Sequence, residues 1–232
     1  MTAGLWALVP VKELGGVKSR LAGLLSAAQR RDLVVAMAAD VLRALVGSRR
    51  VEHVVLVSGT PELARLTGIA DVVSYPGPCT CGLNADLTAA AHWAHRAGAR
   101  QLLIVHADLP LLTSAAIDRF VGARQNRRER GLLRAARCSK GSGTNLLLAP
   151  LPLPLPLSFG AHSLARFRDL AAARGLTFEI RDDPALGTDI DISDDHELLE
   201  RLFRSGGLPQ GATAALLRAR SVSAGRLAEA FS

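Results

Sequence analysis

The sequence predicts an α/β domain, a single-domain Rossmann-like sheet, mixed but mostly parallel, with helices on both faces. Two observations predict it. Apolar runs with β-branched residues alternate along the chain with longer amphipathic segments, at a spacing that suits strand–helix–strand crossovers. Apolar residues make up 49% of the 232 residues while aromatics make up 4%, so the expected core is large and built mainly from Leu, Val and Ala.

Taken in order, LWALVPV (5–11) reads as the first strand. The segment 26–47 reads as a helix, with Ser26 as N-cap and Gly47 at its end. HVVLVSG (53–59) is a strand, PELARLTG (61–68) a short helix with Pro61 in its first turn, and DVVSYP (71–76) a strand. A helix over 83–99 follows, then QLLIVHADLP (101–110) as the clearest buried strand and a capped helix over 113–125. GLLRAARC (131–138) and TNLLLAP (144–150) read as strands. In LPLPLPL (151–157) alternate prolines exclude a helix and a central strand, which leaves an extended loop or edge segment. A helix over 162–175, a strand over 176–182 and a helix over 194–207 complete a domain at 1–207. The Ala- and Leu-rich tail, 208–232, has three open fates: packed on the domain, used in an oligomer contact, or mobile.

The net charge of +7 and the pI of about 10.3 suit a protein that handles polyanions. The dense basic cluster RQNRRER (124–130) contains Glu129 and no interleaved aromatics, so it reads as a solvated helix end and nucleic acid is not an expected partner. No uncharged apolar run reaches the length of a membrane span, roughly 18 residues. The first apolar run lacks a basic lead and reads as a strand rather than a signal peptide. The three cysteines, Cys79, Cys81 and Cys138, are odd in number, and the tight Cys-x-Cys spacing does not fit a disulfide framework. A reduced, cytoplasmic protein is expected. His92 and His95 lie three apart on a predicted helix without a third ligand beside them, so they are expected at the surface.

Several stretches carry chemistry, and the larger ones fall at predicted strand ends, where open α/β sheets place their sites. After the first strand comes VPVKELGGVKSRLAG (9–23), with Gly15 and Gly16 between Lys12 and the group Lys18, Ser19 and Arg20. Glycines let backbone N–H groups approach an anion and three cations neutralise one, so this is either a triphosphate cradle or a charged surface loop. It lacks Walker A spacing. Asp108, in HADLP, is costly at the end of a buried strand unless something pairs with it, and a divalent metal is the first candidate; a helix cap is the other. In TDIDISDD (188–195), Asp189 and Asp191 share one side of an extended segment, while Asp194 or Asp195 caps the next helix. GSGTNLLL (141–148) offers Thr144 beside a glycine turn. SFGAHS (158–163) offers Gly160 and Ser163 at a helix start. CGLNADL (81–87) offers Asn84, which can read a base edge.

As a set, VPVK…KSRL, GLN, ADLPLL, GTNLLL, SFG..S and DIDISDD resemble the CofC/FbiD family of guanylyltransferases of coenzyme F420 biosynthesis, over residues 5 to 204. The resemblance implies a GT-A-type nucleotidyltransferase fold. It implies transfer of GMP from GTP to a three-carbon phospho-acid (2-phospho-L-lactate, phosphoenolpyruvate or 3-phospho-D-glycerate) with release of pyrophosphate. Pro10, Val11, Lys12, Lys18, Ser19, Arg20, Gly82, Leu83 and Asn84 would then meet the nucleotide, with Lys12, Lys18 and Asp108 central to catalysis. Asp108, Asp189 and Asp191 would hold Mg²⁺, and Thr144, Gly160 and Ser163 would bind the acid. A homodimer and contact with the next enzyme of the F420 pathway are the further partner expectations. Where the family pattern is DxDTPxDL, this chain has Ile192 and Ser193 in place of the Thr-Pro pair.

Overall fold

A computed structural model describes residues 4–12, 18–60, 62–122 and 131–230, with the backbone alone for 223–230. Gly15, Gly16, Pro61 and the basic cluster 124–130 lie outside the described residues. Seven strands form one sheet in the order β3-β2-β1-β4-β6-β5-β7. They are β1 (Leu5–Val11), β2 (His53–Ser58), β3 (Val72–Ser74), β4 (Gln101–Val105), β5 (Leu132–Arg137), β6 (Thr144–Pro150) and β7 (Thr177–Arg181). The β1–β2, β2–β3, β1–β4 and β5–β7 pairings are parallel, and β6 alone runs against both of its neighbours. The expected mixed, mostly parallel sheet is thus present.

This topology positions the site. The chain leaves β1 for β2 on one side and returns through β4 on the other, so the strand order reverses at β1 and opens a crevice beyond the carboxyl ends of β1 and β4. Because β6 is antiparallel to β4, its first residue, Thr144, lies at that same edge of the sheet.

One face of the sheet is covered by α1 (Ala27–Val46), the short α2 (Leu63–Thr67), α4 (Ser114–Val121) and the short α6 (Pro184–Gly187), around Val9, Leu42, Leu63, Leu103, Val105, Ile117 and Leu186. The other is covered by α3 (Leu83–Arg96) and α5 (Ser163–Ala172), around Leu8, Leu87, Ile104, Leu147 and Phe167. The Leu-Pro run joins this second layer. Leu151, Leu155 and Leu157 turn inward while Pro152 and Pro156 stay exposed, as alternation along an extended chain requires. It carries no strand, as its prolines foretell. Local signals explain the helix ends. At α1, Ser26 Oγ accepts from Gln29 N (3.2 Å) and Gln29 Oε1 accepts from Ser26 N (2.9 Å), a complete capping box. At α4, Thr113 Oγ1 accepts from Ala116 N at 3.2 Å.

Two segments depart from expectation. The strand predicted over 101–110 ends at Val105, because the Asp-Leu-Pro turn breaks away from the sheet at once. The one-turn α6, capped by Asp183, intervenes between β7 and the acidic run, where no helix was expected.

The last helix, α8 (Ala212–Ala230), lies on α1 and on α7 (Ser193–Arg204). Its first N–H groups, from Ala212 (2.6 Å) and Thr213 (2.8 Å), are capped by the Asp40 carboxylate of α1. A third apolar cluster joins Leu21 and Leu25 of the basic loop to Met37, Ile190, Leu199 and Leu217. That cluster fastens the basic loop and the acidic run to the same support.

At α7 the cap is only half built. Asp195 reaches back to accept from Asp191 N (2.8 Å) and Ile192 N (2.9 Å), but Ile192, at the N-cap, has no oxygen to return. Ile192→Thr restores the missing acceptor. It is expected to raise stability by about 1 kcal/mol in a denaturant melt, as N-cap gains commonly do.

His196, on the same helix, is buried, and Nε2 has no hydrogen-bond partner. Burial lowers its pKa below the ordinary 6.5, against the raising pull of Glu200 and Glu197. Below that value the unfolded chain takes up a proton that the folded chain resists, so stability falls as pH drops through 6.5. The loss of melting temperature between about pH 7.5 and about pH 5.5 should therefore be smaller in His196→Leu than in the parent chain.

Candidate active site

A cavity of about 630 Å³ opens at the crevice beyond β1 and β4. Pro10, Val11 and Lys12 line it from the end of β1, Lys18, Ser19 and Arg20 from the basic loop, and Leu83 from the start of α3. His106, Ala107 and Asp108 enter from the end of β4, Gly160 from the loop before α5, and Asp191 from the acidic run. Most of the residues singled out in the sequence therefore meet in one place, although Lys18 and Asp191 alone lie 173 positions apart.

Lys18 is the centre of the arrangement. It sits in a left-handed backbone conformation (φ 51°) and opens a single 3₁₀ turn, Ser19–Leu21, whose Leu21 is fully buried. The strained backbone turns its side chain away from solvent, to 11% side-chain exposure. Its Nζ donates to Asp108 Oδ2 and Asp191 Oδ1, each at 2.6 Å. Burial alone would lower the Lys18 pKa, but the charges and hydrogen bonds of Asp108 and Asp191 outweigh it and hold the ammonium above its ordinary value. Burial would likewise raise the Asp108 pKa, and Lys18 and His106 together hold it below the usual carboxylate range. Asp108 Oδ1 is buried and has no partner. Lys12 and Arg20 remain exposed on the cavity wall.

Asp189 does not join this pair. It is buried, accepts from Cys138 Sγ at 2.9 Å, and has the Lys140 ammonium 3.7 Å away. Among the described residues, no three or more His, Cys, Asp and Glu side chains come together as a metal cage. The expected trio of Asp108, Asp189 and Asp191 is thus a pair bridged by Lys18, with a third carboxylate turned toward the β5–β6 turn. The Cys138 thiol is pushed up to about 12 by burial and by its bond to Asp189, so it remains a neutral donor.

The other sequence candidates divide. Gly160 lines the cavity with φ 121°, a backbone state that side chains rarely adopt. Thr144 and Ser163 are buried and bonded to each other, Oγ to Oγ1 at 3.0 Å, which ties the start of β6 to the start of α5. Gly82 supplies the unusual backbone (φ 95°) at the start of α3. Asn84, expected to read a base edge, spends one donor and one acceptor within the protein. Its amide accepts from Phe159 N (2.7 Å) and donates to Phe159 O (3.1 Å), so it clamps the loop that carries Gly160.

Three residues of the site were not singled out in the sequence: His106, Cys138 and Lys140. His106 shares the parity of Leu102 and Ile104, both core residues of β4, and that inward register was the available signal. Cys138 and Lys140 offered none, because their partners Asp189 and Asp195 lie 51 and 55 residues away.

A reversed-order α/β sheet with cations and carboxylates converging on its crevice is built to bind an anionic ligand beside a cation. A nucleotidyl transferase of known structure from Methanothermobacter superposes with a TM-score of 0.61 at 18% identity, over 87% of this chain and 99% of that one. The family model described as "Guanylyl transferase CofC like" matches residues 5–211, and the chain belongs to that family. It is 34% identical to the phosphoenolpyruvate guanylyltransferase of Conexibacter woesei, over 86% of this chain and 89% of that one. It is 36% identical to the 3-phospho-D-glycerate guanylyltransferase of Phenylobacterium zucineum, over 82% and 86%. Among the described residues, no helix is long and apolar enough to cross a membrane.

Proposed function

We propose that this chain transfers GMP from GTP to the phosphate of a three-carbon phospho-acid, phosphoenolpyruvate or 3-phospho-D-glycerate before 2-phospho-L-lactate, as a step of coenzyme F420 assembly. The order of acceptors follows the two relatives' names. The observation that carries the reading is Lys18 between Asp108 and Asp191, on the wall of a cavity that also holds Lys12 and Arg20. One side of such a site neutralises a triphosphate and the other attracts a cation.

The residues fit Mg²⁺. Hard carboxylate oxygens suit it, Asp108 Oδ1 lacks a partner, and the Lys18 ammonium shows that the pair draws positive charge. Asp108 and Asp191 would hold the ion, with Asp189 the neighbouring carboxylate of the same segment. When bound, Mg²⁺ supplies charge neutralisation at phosphate oxygens. Lys12, Lys18 and Arg20 orient the triphosphate and offset its charge. An acceptor phosphate oxygen attacks the α-phosphorus in line, the bond to the bridging α–β oxygen breaks, and pyrophosphate leaves with that oxygen. The protein contributes positioning and charge rather than a covalent intermediate. Phosphorus NMR of a reaction with Mg²⁺, GTP and each acid tests this. The acceptor's single monoester resonance should give way to a coupled pair from a new diphosphate, with free pyrophosphate beside it. An unchanged acceptor resonance with all three acids would refute the acceptor class.

A further inference from the structure

We propose that His106 binds the acceptor acid, donating a hydrogen bond from Nε2 to the acid's carboxylate; the inference rests on the proposed transfer reaction. His106 follows the last residue of β4 and lines the cavity. Its Nε2 is buried without a partner, a rare condition for a ring nitrogen. Leaving such a group unpaired is costly, and here, unlike at His196, the ring borders an open cavity from which a ligand atom can supply the partner.

The ring is held in place by the loop before α5. It packs against Phe159 with centroids 5.3 Å apart, and the Phe159 backbone is clamped at both N and O by Asn84. The next residue, Gly160, lines the same cavity. His106 is therefore braced by the loop before α5 rather than by the basic loop that carries Lys18 and Arg20.

Position separates the two roles. Lys12, Lys18 and Arg20 reach the cavity from the end of β1 and the basic loop, whereas His106 enters from the end of β4 beside the loop before α5. A rigid imidazole there gives one directed bond. That suits a carboxylate whose orientation sets where the acid's phosphate points. His106 is a binding residue.

The test is steady-state kinetics on His106→Phe and His106→Gln. Phe keeps an aromatic ring against Phe159 and removes the donor; Gln keeps a donor and loses the ring. His106→Phe should raise the acceptor KM about 10-fold or more, the loss of one hydrogen bond to a charged group. Its KM for GTP and its GTP-induced thermal shift should match those of the parent chain. His106→Gln should recover a substantial part of the acceptor affinity. An unchanged acceptor KM in His106→Phe, or a rise confined to GTP, overturns the assignment. If His106→Phe fails to fold, His106→Leu replaces it: a rise confined to the acceptor KM upholds the assignment, and any other outcome overturns it. Silence of the parent chain with every acid overturns the transfer reaction itself and this assignment with it, a result distinct from a working parent with an indifferent variant.

Discussion

Asp108→Asn is expected to lower turnover by about 10³-fold or more, on the order of 4 kcal/mol of lost transition-state stabilisation, while the chain stays folded. The amide keeps the shape of the carboxylate and removes its charge. Asp108 is one of two carboxylates on Lys18, and its second oxygen is buried and unpaired. Without that charge the site loses its candidate metal ligand, and Lys18 shifts toward Asp191 alone. The backbone at this position is independently fixed, since Ile190 N donates to Asp108 O at 3.2 Å, so the fold should survive. Turnover and circular dichroism on the same preparation check both halves. A rate within a few-fold of the parent would remove Asp108 from the mechanism.

Lys18→Met should lose both activity and stability. Removing the ammonium leaves Asp108 and Asp191 facing each other with no cation between them. Breaking a buried pair from one side costs about 3–5 kcal/mol, and because Asp191 is 44% exposed the expected loss is nearer 2–3 kcal/mol. In a chain of this size that is a fall of about 5–10 °C in melting temperature. Added Mg²⁺ should restore part of it, because a divalent cation can stand where the ammonium stood. Turnover should stay low even then, about 100-fold below the parent, since the triphosphate has lost a cation. A variant that melts with the parent, and is indifferent to Mg²⁺, would show that the bridge carries no weight.

These two residues also show what sequence reasoning reaches. Lys18, Asp108 and Asp191 each stand out as a charged group at the end of a buried run. Their meeting does not, because 90 and 173 residues separate Lys18 from its partners and only the strand order closes that distance. The strands were legible because parallel strands covered on both faces are apolar throughout, as Leu102–Val105 is. Side-chain amides were not. Asn84 has the chemistry to read a base, but Phe159, 75 residues on, takes both ends of it. Asp189 shares a face with Asp191 by spacing, yet Cys138 and Lys140 turn it aside, and the short α6 before it gave no warning. The tail had no legible fate from its own composition. Its place on α1 depends on Asp40, which caps it from 172 residues away.

Pyrophosphate release tests the central claim most directly. The purified chain would be given Mg²⁺ and GTP with phosphoenolpyruvate, 3-phospho-D-glycerate or 2-phospho-L-lactate, and ATP or CTP in place of GTP as controls. The account predicts release that requires GTP and one of these acids together, and that Asp108→Asn abolishes. Tight binding of Mg·GTP with no release in the presence of any of the three acids would contradict it.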